Sequence, residues 1–130
     1  TKGADTLMLT MGSMGETAAT AVDEMRKAGK KVGLVKLRLW RPFPVEELKE
    51  AIKECKTLIV MDRALSTGGA GGPVATDVKS ILYGEKKKPR VLNVIAGLGG
   101  RDLTVSDFVA MFEMAKKKKD ETFELYGVRE

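Results

Sequence analysis

The sequence contains no histidine and no glutamine, and it has a single cysteine. Without histidine there is no Ser–His or Cys–His pair, which removes the commonest routes to an activated nucleophile. A lone Cys55 excludes an internal disulfide. This chain by itself supplies neither a structural zinc set nor the ligands of an iron–sulfur cluster. Cys55 reads instead as a small apolar residue in a reducing, cytoplasmic setting. No apolar run approaches the ~20 residues that cross a bilayer, and the first residues carry no secretory signal pattern. The spellings of nucleotide loops are missing too. Neither GxxxxGKS nor GxxxxGKT occurs. In "GGAGGPV" Val74 stands where the third glycine of GxGxxG would fall, and in "GLGGRD" Asp102 does. No pair of carboxylates marks a general acid and base.

What is present suits one soluble domain spanning 1–130. The chain has 130 residues, 43% hydrophobic and 32% charged, with a formal net charge of +5. The excess positive charge sits in "EKKKPR" and "AKKKKD", each just after a predicted helix, where lysines complement the helix dipole and stay solvated. No aromatic residues interleave with either run, so neither nucleic acid nor membrane is an expected partner. The skew towards Lys and Glu is that of proteins from hot environments. The first residue is Thr1, and a piece of a longer chain is expected.

Hydrophobic periodicity alternates between two and 3.6. Strands are predicted at Thr6–Thr10, Lys31–Leu37, Thr57–Asp62 and Arg90–Ala96. Helices are predicted from Glu16 to Lys27, after Pro44, from Pro73 to Leu82, and from about Thr104. In the second helix Val45, Leu48, Ala51, Ile52 and Cys55 share one face. "TLIVMD" is apolar without alternation, as in a strand covered on both sides. The pattern implies an α/β fold: a three-layer α/β/α sandwich around a mostly parallel sheet.

In such a sheet every strand-to-helix loop reaches the same edge, where sites on open α/β sheets lie. Those loops are "TMGSMGET", "RLWRPFP", "DRALSTGGAGGP" and "GLGGRDL". They hold most of the glycine and the sole Trp, while the return loops are plain. Candidate interface or anion contacts there are Arg41, Arg63, Gly71, Gly72, Arg101 and Asp102. For the glycines, close packing of backbone competes with a ligand-cradling nest. Pro73 removes one donor from the helix start that would face a phosphate, so "STGGAGG" is expected to hold no nucleotide. Asp102 or Thr104 could cap the last helix. Arg101 has no such local task and suits a carboxylate on another domain or a phosphate. Trp40, Pro42 and Phe43 either fill the end of the sheet or meet a partner. Phe123, Leu125, Tyr126 and Val128 are expected to dock on this domain or on a partner subunit.

Three motifs taken in order are more specific. "TMGSMGETAATAVDEMRKAGKKVGLVKLRLWRPFP", "LIVMDRALSTGGAGG" and "GLGGRDLT" resemble the transketolase C-terminal-like domain. More narrowly, they resemble that domain in the α subunit of pyruvate:ferredoxin oxidoreductase and related 2-oxoacid:ferredoxin oxidoreductases. The resemblance runs from about Asp5 to Met114. It implies a parent complex that decarboxylates pyruvate on thiamine diphosphate with magnesium, passes electrons through iron–sulfur clusters to ferredoxin, and gives the acyl group to coenzyme A. It implies a non-catalytic assembly role for this domain, inactive alone, with no cofactor bound by this chain and the other domains and subunits as partners. Two alternatives stand beside it: an anion- or CoA-binding module of the same complex, and the C-terminal domain of a transketolase or 2-oxoacid dehydrogenase.

Overall fold

The computed structural model describes residues 3–38, 42–64, 71–98, 102–117 and 124–127. Strand and helix alternate: β1 (Thr6–Met11), α1 (Met14–Lys27), β2 (Val32–Leu37), α2 (Val45–Ile52), β3 (Thr57–Asp62), α3 (Pro73–Leu82), β4 (Arg90–Ile95), α4 (Val105–Lys117) and β5 (Glu124–Leu125). The sheet order is β2-β1-β3-β4-β5, and each pairing is parallel. Register runs Thr6↔Val32, Thr6↔Thr57 and Thr57↔Arg90, so the four long strands start level.

Period-two alternation sorts the strand side chains into two cores. Met8, Ile59, Met61, Leu92 and Val94 face α1 and α4, meeting Ala18, Ala21 and Met25 from one helix and Phe108, Met111 and Phe112 from the other. The small alanines let α1 approach the sheet closely, and the two phenylalanines of α4 fill the space beside it. Leu7, Leu9, Leu58 and Val60 face the opposite way, against Leu48 and Ile52 of α2 and Val74, Val78 and Leu82 of α3. β3 is buried on both sides, which explains its unbroken apolar spelling. Each fully buried large apolar side chain contributes roughly 1.5–3 kcal/mol. The expected three-layer α/β/α sandwich is thus present.

Element ends differ slightly from expectation. α1 begins at Met14, ahead of Glu16, and α2 ends at Ile52. Cys55 therefore lies beyond the helix whose face it was expected to share. It is still buried, and its thiol donates to the Thr57 carbonyl at 2.9 Å. Burial pushes this thiol up, away from the reactive thiolate.

β5 had no counterpart among the predicted strands. It pairs Val94↔Glu124 and Ile95↔Leu125, and the Tyr126 amide donates to the Ile95 carbonyl at 2.9 Å. Tyr126 docks on this domain, packed against the α1/α4 core, whereas Leu125, expected to dock as well, is exposed. β2 and β5 lie on opposite sides of the central strands, yet α1 and α4 share a face. The crossovers β1–α1–β2 and β4–α4–β5 therefore have opposite hands. The crossovers β2–α2–β3 and β3–α3–β4 share the hand of β1–α1–β2, so the odd one leads to a strand two residues long. Phe123 and Val128 lie outside the described residues.

Candidate functional site

The C-terminal ends of the strands form one edge, and a buried polar network lies beneath it. Asp62 ends β3 and Asn93 sits in β4; both are buried. Val74 N–H donates to Asp62 Oδ1 at 2.9 Å, and Ala75 N–H donates to Oδ2 at 3.1 Å. Asn93 Nδ2 donates to Asp62 Oδ2 at 3.1 Å and to the Val60 carbonyl at 3.0 Å. Its Oδ1 accepts from Gly72 N–H at 2.8 Å. The carboxylate thus occupies the start of α3, where unpaired N–H groups and the helix dipole attract an anion. Burial pushes the Asp62 carboxyl up; the N–H donors of Val74 and Ala75 and the Asn93 amide pull it down, and Asp77 adds a smaller push upward.

The described end of the glycine loop packs closely on Asp62. A Cβ placed on Gly72 would fall inside the Asp62 carboxylate. Gly71 has φ +151°, open to glycine and strained for other residues. Here the glycines let the chain close on Asp62 and enter α3 at Pro73. Nothing in the sequence reading singled out Asp62 or Asn93. Their signal was there: two polar residues inside the apolar spellings "TLIVMD" and "RVLNVIA".

At the start of α4 the cap is Thr104. Its N–H donates to Asp107 Oδ2 at 2.8 Å, its hydroxyl donates to the same oxygen at 3.0 Å, and Asp107 N–H approaches the Thr104 hydroxyl at 3.2 Å. This is a capping box built with aspartate. Asp102, the other candidate for that task, is exposed and takes no part in it. The local reason is distance: a side chain reaches the N–H groups of the second and third helical residues from the position just before the helix, which Thr104 fills. Asp107 Oδ1 also accepts the Tyr126 hydroxyl at 2.9 Å, so one carboxylate serves both the cap and the tail.

Arg63 and Asp102 come together on the rim of a small polar hollow of about 120 Å³ beside Ser13 and Thr17. Arg63 also borders an apolar hollow of about 190 Å³ walled by Met11, Met14, Met61, Pro73 and Val74. Both charged residues are exposed. Arg41, Arg101 and Trp40 lie outside the described residues, as do Gly68 and Gly69. Phe43 packs partly on the α2/α3 core, and Pro42 is exposed. A groove of about 390 Å³ lies at the opposite edge, beside Ala4, Leu7 and Cys55, where Lys53 is paired to Glu50 at 2.6 Å. Among the described residues no cluster of three or more carboxylate or cysteine side chains could hold a metal. No described helix is long and apolar enough to cross a membrane.

A family model described as pyruvate:ferredoxin oxidoreductase core domain II matches residues 4–108. The pyruvate synthase subunit PorA of Methanocaldococcus jannaschii is 37% identical over 127 residues, covering 98% of this chain and 32% of the relative. The ketoisovalerate oxidoreductase subunit VorA of Pyrococcus abyssi is 43% identical over 131 residues, covering 97% and 33%. The chain thus spans about a third of the length of the curated relatives it matches. Among solved structures, the 2-oxoglutarate:ferredoxin oxidoreductase from Magnetococcus marinus, with 2-oxoglutarate, coenzyme A and succinyl-CoA bound, superposes with TM-score 0.67 at 21% identity. That match covers 86% of this chain and 18% of the other. A split-gene transketolase, described as an inactive beta4 tetramer, superposes with TM-score 0.65 at 21% identity, covering 89% and 39%. These two likenesses concern the fold alone.

Proposed function

This chain belongs to the pyruvate:ferredoxin oxidoreductase core domain II family, and from that premise we propose that it is an assembly domain of a 2-oxoacid:ferredoxin oxidoreductase α subunit. It forms a single domain over 1–130 and carries no catalytic side chain of its own. The observation that supports this most is Asp62. The buried carboxylate at the strand edge is committed to two α3 amides and to Asn93, and so is unavailable to substrate or metal.

Thiamine diphosphate with magnesium, coenzyme A and iron–sulfur clusters belong to the parent reaction. The described residues do not fit them: the α3 N-terminus already holds an anion, no ligand cluster is present, and the single thiol is buried. No step of the reaction is routed through this chain. The other domains and subunits are its partners, with ferredoxin reached through the complex, in a cytoplasmic and thermophilic setting that the buried thiol and the Lys/Glu skew favour. Relatives named for pyruvate and for ketoisovalerate match this segment comparably. That supports placing selectivity among 2-oxoacids elsewhere in the enzyme.

Calorimetric titration tests the reading. The 130-residue chain is expected to bind neither thiamine diphosphate nor coenzyme A, while the complete oxidoreductase binds both. Tight binding of coenzyme A to the chain alone would move it to the anion-module reading, with exposed Arg63 as first contact.

A further inference from the structure

Arginine and lysine are used differently in this fold. Arg26 donates to the Val32 carbonyl at 2.8 Å and Arg90 to the Ala115 carbonyl at 2.5 Å, so both are tied to their own chain. Arg38, just after β2, and Arg63, just after β3, are exposed and make no hydrogen bond or ion pair to any described residue. Both stand on the strand C-terminal edge. Exposed lysines collect mostly at the other end, in the return loops: Lys30, Lys31, Lys53, Lys56 and Lys86 to Lys88; Lys36, beside Arg38, is paired to Glu16.

The two side chains differ in what they tolerate. The ammonium is strongly hydrated and stays in water. The guanidinium is weakly hydrated, presents a planar fork to a carboxylate, and is enriched at interfaces where lysine is depleted. An edge carrying free arginines is suited to being covered, and an edge carrying lysines to solvent. Met11 lines both the hollow beside Arg38, which also holds Glu16 and Lys36, and the more apolar hollow beside Arg63. Arg63 borders the hollow of about 190 Å³ walled by Met11, Met14 and Met61, and Arg38 borders an open hollow of about 400 Å³ that also includes Met11. Methionine walls adapt to an apolar side chain of imperfect fit. Nearby carboxylates do not neutralise the pair: Glu16 is held by Lys36 at 3.0 Å, and Asp102 forms no ion pair with Arg63.

We propose that this edge docks on an acidic protein surface elsewhere in the oxidoreductase assembly. Arg38 and Arg63 each pair a carboxylate there, around an apolar side chain seated among the methionines. The proposal rests on the assembly role above and adds the face and the chemistry of the partner. Relatives about three times as long leave ample protein outside this segment to supply that surface.

The test uses the full-length subunit in the assembled complex. Arg63→Lys and Arg38→Lys each place an amine where a carbodiimide joins it to any carboxylate within ion-pair reach. Expected are cross-linked peptides joining these positions to Asp or Glu outside the 130 residues, with none of that kind from Lys87. Arg63→Glu is expected to weaken assembly by roughly thirtyfold or more, as for a broken desolvated pair, and Lys87→Glu to leave it unchanged. Cross-links confined to Asp102, or none, in a complex that assembles and turns over normally overturn the docking face and leave the assembly role standing. Normal assembly of Arg63→Glu does the same. Failure of the wild-type chain to co-purify with an oxidoreductase refutes the assembly role itself.

Discussion

Gly72 lies so close to Asp62 that a side chain at position 72 would occupy the space of the carboxylate. The contact is what lets Asp62 reach Val74 and Ala75 N–H, and it leaves no room for a side chain at Gly72. Gly72→Ala should therefore cost roughly 2–4 kcal/mol, from overpacking plus the loss of charge-assisted hydrogen bonds. Gly84→Ala, with φ +89° and nothing near its Cβ, should cost only about 1 kcal/mol of backbone strain. Urea unfolding of the two variants checks the order. Equal losses would show that conformation, and not the Asp62 contact, explains the glycine.

Asp62 also gives the fold a pH dependence of definite sign. Burial raises its carboxyl above the ordinary 3.8. Between the unfolded and folded values the native state binds more protons, so its contribution to stability is fullest below 3.8 and is lost as pH rises through the folded value. Asp62→Asn cannot titrate. The stability of wild type relative to Asp62→Asn should fall as pH is raised from just below 4 towards neutrality. A relative gain over that interval would mean that the α3 amides outweigh burial.

The alternation of strands and helices was legible because each element spells its own period. Thr57–Asp62 reads as a doubly covered strand and is one; Pro73 reads as a first helical residue and is one. The candidate site was legible only in part. Arg63 and Asp102 were placed on the right edge by topology alone, and the structure brings them to one hollow. The Asp62–Asn93–Gly72 network was not found, because its members stand far apart in sequence and two are hidden in apolar strands. β5 was not found because two residues carry no periodicity, and its crossover has the opposite hand to the other three.

Thr104 and Asp102 compete in sequence for one task, and the structure gives it to Thr104. Thr104→Ala should lose about 1 kcal/mol, while Asp102→Ala should stay within about 0.5 kcal/mol of wild type. Thermal denaturation followed by circular dichroism separates them. A larger loss at Asp102 would return the cap to it.

The tail is held by Tyr126, whose hydroxyl reaches the same aspartate that completes the α4 cap. Tyr126→Phe keeps the ring in the core and removes that bond, for about 1 kcal/mol. Deleting 122–130 also uncovers the β4 edge and should lower the melting temperature further. Hydrogen exchange gives the local readout: the Tyr126 amide, bonded to the Ile95 carbonyl, should be protected in wild type and less so in Tyr126→Phe. An amide that exchanges freely in wild type would show β5 to be idle.

The Thr10 hydroxyl, near the C-terminal end of β1, is buried and has no hydrogen-bond partner among the described residues. It lies in β1, opposite Lys36 in the register with β2. A threonine hydroxyl exchanged from water for such a site loses its hydrogen bonds and regains none, a cost of about 1–3 kcal/mol. Valine has nearly the same shape and the same preference for strands, and it carries no donor or acceptor. Thr10→Val should therefore raise stability by about 1 kcal/mol in the isolated chain, read as a higher urea midpoint at unchanged slope. In the assembled oxidoreductase the same substitution should be silent for assembly, since the hydroxyl is covered already. A destabilised Thr10→Val chain would show that the hydroxyl is satisfied in solution.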